Sequence, residues 1–77
     1  MRIVYVKRKP YVELLEETIS PLFGRVYSSS SGERKEALTK LATKILYRSI
    51  GKRENGKKLI LMSKQEYKLL RDLDELI

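Results

Sequence analysis

Apolar positions along this chain switch between the two-residue period of a strand and the 3.6-residue period of a helix, and the switches mark out its elements. Ile3, Val4, Tyr5 and Val6 put three β-branched residues and an aromatic in one run, which predicts a strand over Arg2–Lys7. Because this run is apolar on both faces, a central place in a sheet is expected. From Tyr11 to Ser20, Val12, Leu15 and Ile19 recur at i, i+3 and i+7, with Leu14 widening the stripe and Glu13, Glu16 and Glu17 on the other side; this predicts a first helix. Pro10 would open that helix, where its missing N–H is harmless, and Pro21 would close it, with a turn at Gly24.

Arg25–Ser28 then reads as a short second strand, and Ser30 with Glu33 has the spacing of a capping box. Ala37, Leu38, Leu41, Ala42 and Ile45 keep helical register, so a second helix is expected to run to about Tyr47 or Ile50. Asn55-Gly56 is the strongest turn signal, since both residues tolerate the positive φ of a tight hairpin. Leu59–Met62 reads as a buried strand. Ser63 and Glu66 form a second capping box, opening a C-terminal helix along Leu69, Leu70, Leu73, Leu76 and Ile77. The expected fold is therefore α/β (α+β), one small domain over residues 1–77. Its order would be β-α-β-α-β with an additional C-terminal helix, leaving room for a short strand before Asn55. Tyr5 and Tyr67 fall on core positions of this scheme.

Composition narrows the chemistry. The 77 residues include no Cys and no His, which removes the soft and imidazole metal ligands, the thiol nucleophile and the usual general base. No catalytic residues, metal or cofactor are expected, and the chain is not read as an enzyme. Glu16 and Glu17 are neighbours that point apart on a helix, so they make no paired-carboxylate site. Ser28–Ser31 before Gly32 lacks the pattern of a phosphate-binding loop and is explained by helix capping. No apolar run approaches the ~20 residues needed to span a bilayer, and no secretory signal opens the chain, so a cytoplasmic protein away from membranes is expected. The high charged fraction, with one Gln and one Asn, resembles proteins of hot environments.

Seventeen Lys and Arg against ten Asp and Glu give a net charge of +7, and the excess is clustered. Lys7, Arg8 and Lys9 sit together at the first strand-to-helix turn. Lys52, Arg53, Lys57 and Lys58 surround Asn55-Gly56. Lys40 and Lys44, with Tyr47, form a basic flank on the second helix. Tyr11 lies beside the first cluster, where an aromatic could stack on a base or hydrogen-bond a phosphate. A chain basic only for solubility has no need of such clusters, whereas a phosphate-binding face has.

The run Lys7-Arg8-Lys9-Pro10 after a short strand, and Gly32 before Glu33-Arg34-Lys35-Glu36-Ala37, resemble the Alba family of small archaeal nucleic-acid-binding proteins over roughly residues 2–62. That resemblance implies nucleic-acid contact by Arg8 and Lys9; at the opening of the second helix only Gly32 keeps the family register, and Arg34 there is a further candidate contact. It also implies a hairpin arm, shortened here to Arg53–Lys58. The C-terminal helix and the missing Arg-Gly-Arg-Ala stretch depart from the family pattern.

The expected function is thus a small protein that grips DNA or RNA backbone phosphates with low sequence specificity, as a homodimer, with the C-terminal helix either mediating assembly or packing on its own sheet. Two other readings stay open. One is a winged-helix regulator that uses the second helix for recognition and Lys52–Lys58 as wing. The other is a protein-interaction or accessory module.

Overall fold

The sequence folds as two hairpins around a helical pair, closed by a last helix: β1 (Arg2–Val6), β2 (Lys9–Leu15), α1 (Glu16–Ser28), α2 (Glu33–Arg48), β3 (Arg53–Glu54), β4 (Lys57–Ser63) and α3 (Lys64–Glu75). The computed structural model describes every residue from Met1 to Ile77. The four strands form one antiparallel sheet in the order β1-β2-β4-β3, so the fold is α+β, as expected. The order of elements is not the expected one. The first half is hairpin, helix, helix in place of strand, helix, strand, helix.

Several local readings fail, each for a physical reason. Tyr11–Leu15 belongs to a strand, because Val12 and Leu14 alternate into the core while Glu13, between them, turns to the other face and is held by Arg2. Pro10 consequently lies within a strand and opens no helix. It is paired with Tyr5 of β1, and its nitrogen faces the side where β4 has already ended, since Ser63 lies opposite Tyr11 and α3 begins at Lys64. A missing N–H costs nothing there. Pro21 and Gly24 fail to stop α1, which runs through both and continues over Arg25–Ser28, the segment expected as a strand. Ile19, Leu22 and Val26 form its buried stripe, and that burial outweighs both helix-breaking residues, which lie on the exposed side. The Ser30–Glu33 capping box is also absent. Gly32 is the N-cap of α2, and the Ser30 hydroxyl donates to Val26 O at 2.8 Å, closing α1 instead.

The second half matches its reading. Asn55 and Gly56 have φ of 51° and 78° and join β3 to β4, and the Ser63–Glu66 capping box opens α3. The main core cluster lies on one face of the sheet, while Leu59 and Leu61 are buried on the other. Val12, Leu14, Ile60 and Met62 meet Ile19, Leu22 and Val26 of α1, Leu38 and Ile45 of α2, and Leu70 of α3. Tyr67 packs half-buried at its margin, as expected. Tyr5 does not join the core and is 72% exposed, because β1 is an edge strand and not a central one.

The far side of β4 needs closing, because β3 covers only its first two residues. The chain between α2 and β3 does this. Leu59 N–H donates to Lys52 O at 3.0 Å, Leu61 N–H to the Ser49 hydroxyl at 2.9 Å, and Leu61 O accepts from Arg48 at 3.1 Å. The last residues of α2 thus stand in for a longer β3, and no edge backbone group of Leu61 is left unpaired.

Gly24 is exposed within α1, and a Cβ there would meet nothing within 4 Å. Gly24→Ala is expected to stabilise the fold by about 1 kcal/mol, raising Tm by roughly 4–8 °C in thermal unfolding followed by circular dichroism. An unchanged or lower Tm would mean that α1 is not continuous through this position.

Candidate nucleic-acid interface

Lys7 and Arg8 are the two central residues of the β1–β2 hairpin, with φ of 50° and 67°. Both sit in the left-handed region, as a two-residue hairpin of this hand requires, and the residues that suit it are Asn and Gly. The chain uses that pair at its other hairpin. At this one it holds two long cations where each side chain costs about 1–2 kcal/mol of backbone strain relative to glycine. Lys9 follows as the first residue of β2, exposed on the face opposite the core.

Tyr11 is two residues further along β2, about 7 Å of strand, on the same face as Lys9. Its ring is not free on both sides. The Arg48 guanidinium lies over it, with Cζ 5.1 Å from the ring centroid. Arg48 also donates to both Glu66 carboxylate oxygens at 2.7 and 3.2 Å, so α2, β2, β4 and α3 meet at one guanidinium. Burial works to raise the Glu66 pKa, but hydrogen bonds from Arg48 and the Ser63 N–H, with the charges of Arg48 and Lys44, outweigh it and hold the carboxyl below its ordinary range. Lys44 lies one helical turn before Arg48 on α2, and Lys40 one turn further back.

The expected site residues therefore divide. Lys7, Arg8, Lys9 and Tyr11 belong to the end of the sheet where the first hairpin turns, whereas Lys44 is one helical turn from the Arg48 that lies over Tyr11 and Lys40 a turn further away. Lys52, Arg53, Lys57 and Lys58 belong to the opposite end, about 25 Å away along the strands. There Lys57 pairs with Glu17 at 3.0 Å and Lys58 with Glu16 at 3.6 Å, while Lys52 and Arg53 line a cleft of about 550 Å³ beside Leu46 and Ile50. Arg34 joins neither group. It lines a small cavity with Ser29, Ser30, Leu73 and Leu76, where the start of α2 meets the end of α3.

Ion pairing sharpens this division. Five of the 17 Lys and Arg pair with six of the ten Asp and Glu. The four carboxylates left are Glu33 and Glu36 in the first turn of α2, and Asp72 and Glu75 late in α3. None belongs to the first hairpin, where Arg2 is paired but the three cations at the turn, Lys7, Arg8 and Lys9, are not. The sequence reading missed Lys64, which follows Ser63 directly and so starts α3 beside Tyr11. It also missed Arg48, whose only sequence signal is its place four residues after Lys44.

No metal-binding cluster of carboxylates is formed, and no helix is long and apolar enough to cross a membrane. No family model, curated protein or solved structure matches this chain.

The depressed pKa of Glu66 has a definite consequence for stability. Its stabilising effect is fully present above the ordinary value near 4.5 and is lost as pH falls through the lower folded value. Asp74, held low by its hydrogen bond to Arg25, acts in the same direction, starting from its own lower ordinary value of 3.8. Glu66→Gln is therefore expected to destabilise the protein at neutral pH and to flatten, without abolishing, the fall in stability below about pH 5 in urea titrations. Equal slopes for wild type and variant in acid would show that the Arg48 cluster does not hold Glu66 ionised.

Proposed function

We propose that this protein binds nucleic-acid backbone phosphates through the first hairpin and the neighbouring flank of α2, without reading base sequence. The observation that carries the reading is the pair Lys7 and Arg8 at two left-handed positions. Strain of this kind persists where the residue is needed for something other than the turn. Lys9, Lys44 and Lys64 extend the same end of the molecule as unpaired cations, and Lys40 continues the track along α2. Compact ammonium and guanidinium groups on exposed stems suit phosphate, which accepts hydrogen bonds and charge from any direction. Tyr11, covered on one side by Arg48, supports the surface and offers at most one face for stacking. The resemblance to the Alba family adds little to this reading, because its matched residues lie here in a hairpin turn and at a helix start of different order. The chain's own geometry carries it.

The test is binding of wild type and of a Lys7→Ala, Arg8→Ala, Lys9→Ala variant to random duplex DNA, single-stranded DNA and RNA across a salt series. The variant is expected to bind more weakly on every sequence, with the slope of log K against log salt reduced by up to about three. Wild type that binds no nucleic acid, even at low salt, would overturn the reading and favour a protein-interaction module. Strong sequence dependence would favour a winged-helix regulator.

A second variant separates function from stability. Lys7→Asn with Arg8→Gly gives this hairpin the turn residues of the other one. It is expected to raise the unfolding free energy by about 1–2 kcal/mol while weakening binding. Tighter folding with unchanged affinity would remove the hairpin tip from the interface. Charge reversal at Lys57 and Lys58, at the far end and already paired, is expected to weaken binding less than loss of the first three cations.

A further inference from the structure

β1 is an open sheet edge without the guards that such edges normally carry. Edge strands are usually kept from pairing by a proline, a bulge, an outward lysine or extreme shortness. The opposite edge of this sheet is guarded in that way, since β3 has two residues and the end of α2 covers the rest. β1 has five residues paired to β2 in unbroken register and contains neither a proline nor a lysine. Its one charge, Arg2, is engaged across the sheet with Glu13 and Glu54. Ile3, Tyr5 and Val6 are 44%, 72% and 39% exposed, so both faces of the edge are apolar.

The hydrogen-bond register says what would pair there. Val6 and Lys9 flank the two-residue turn, so Val6, Val4 and Arg2 exchange their backbone bonds with β2. The N–H and C=O groups of Ile3 and Tyr5 therefore point outward. An antiparallel copy of the same strand, related by a two-fold axis at Val4, sets Ile3 opposite Tyr5 of the other copy and Tyr5 opposite Ile3. All four outward N–H and all four outward C=O groups are then satisfied. The same register places the two exposed core-face side chains in aromatic to β-branched pairs, one on each side of the axis, and brings the two Val4 residues together.

We propose that this edge is a homodimer interface: two copies join β1 to β1 in antiparallel register centred on Val4, making one eight-stranded sheet. The symmetry is closed, so growth stops at two. The two Lys7-Arg8 tips then lie at opposite ends of the joined strands, about 20 Å apart. The assembly does not depend on the chain binding nucleic acid.

The chain has no cysteine, which allows a direct test. Facing residues of a non-hydrogen-bonded antiparallel pair have Cα atoms about 4.5 Å apart, within disulfide reach. Val4→Cys is expected to oxidise to a covalent dimer much faster than Leu69→Cys, an exposed site on α3. In sedimentation velocity without nucleic acid, wild type is expected as a dimer, and Ile3→Glu and Tyr5→Lys each as folded monomers. An equimolar mixture of those two is expected to recover a dimer, because only the Val4-centred register sets residue 3 against residue 5. Wild type that remains monomeric at its highest attainable concentration would overturn the proposal. So would a mixture that stays monomeric, or a dimer in which Leu69→Cys oxidises as fast as Val4→Cys.

Discussion

The Arg48 guanidinium is the point at which the separate parts of this fold are joined. One side chain donates to the open edge of β4, grips the carboxylate that caps α3 and lies over an aromatic of β2. Glu66 in turn accepts from the Ser63 N–H while its own N–H is taken by the Ser63 hydroxyl. Both partners are mostly buried, with side chains 21% and 12% exposed. Such a pair adds little over a well-packed apolar substitute, but removing one member strands a charge and several hydrogen bonds together. The arrangement fixes where α2 ends, and that position makes a two-residue β3 sufficient.

The parts of the fold legible in the sequence are those whose signals are local. Asn55-Gly56, the Ser63–Glu66 box and the stripes of α2 and α3 each contain their own explanation in a few neighbouring residues. The parts misread depend on distant partners. Glu13 looks like the polar face of a helix until Arg2 is known to lie across from it. Pro10 looks like a helix start until β4 is known to stop one position short of it. Pro21 looks like a stop until Leu22 and Val26 are known to be in the core. In each case tertiary burial or pairing overrode a propensity worth only a few kcal/mol. The cationic residues of the candidate site were legible as clusters. Their division between two ends of the sheet was not, because it follows from strand register alone.

Electrostatics and topology act together on this small surface. The long helix faces that carry acid meet cations of the second hairpin and of α1, as in Glu16 with Lys58, Glu17 with Lys57 and Asp74 with Arg25. These exposed pairs contribute little to stability. Their effect is on the field: they offset part of the positive charge at the second-hairpin end, where Lys52 and Arg53 stay unpaired, and none of it at the turn of the first hairpin. Net charge alone would not have distinguished the two.

The first hairpin is also where the fold is least supported. β1 supplies no residue to the buried core, and its turn is held in a conformation that its residues disfavour. What keeps β1 in place is its register with β2 and the reach of Arg2 over Glu13 to Glu54 on the far strand. An element that adds strain and exposed apolar surface yet buries nothing is poorly explained by the stability of one chain. It is well explained by contacts outside that chain: cations at the turn for an anionic partner, and an edge whose free backbone groups match a second copy of itself. The two proposed roles would use different atoms of the same seven residues, side chains at the tip and main chain along the edge. Joining the edges would stiffen the strand that carries the tip, so a second copy at β1 would also lower the entropy lost if Lys7 and Arg8 were ordered on a phosphate backbone.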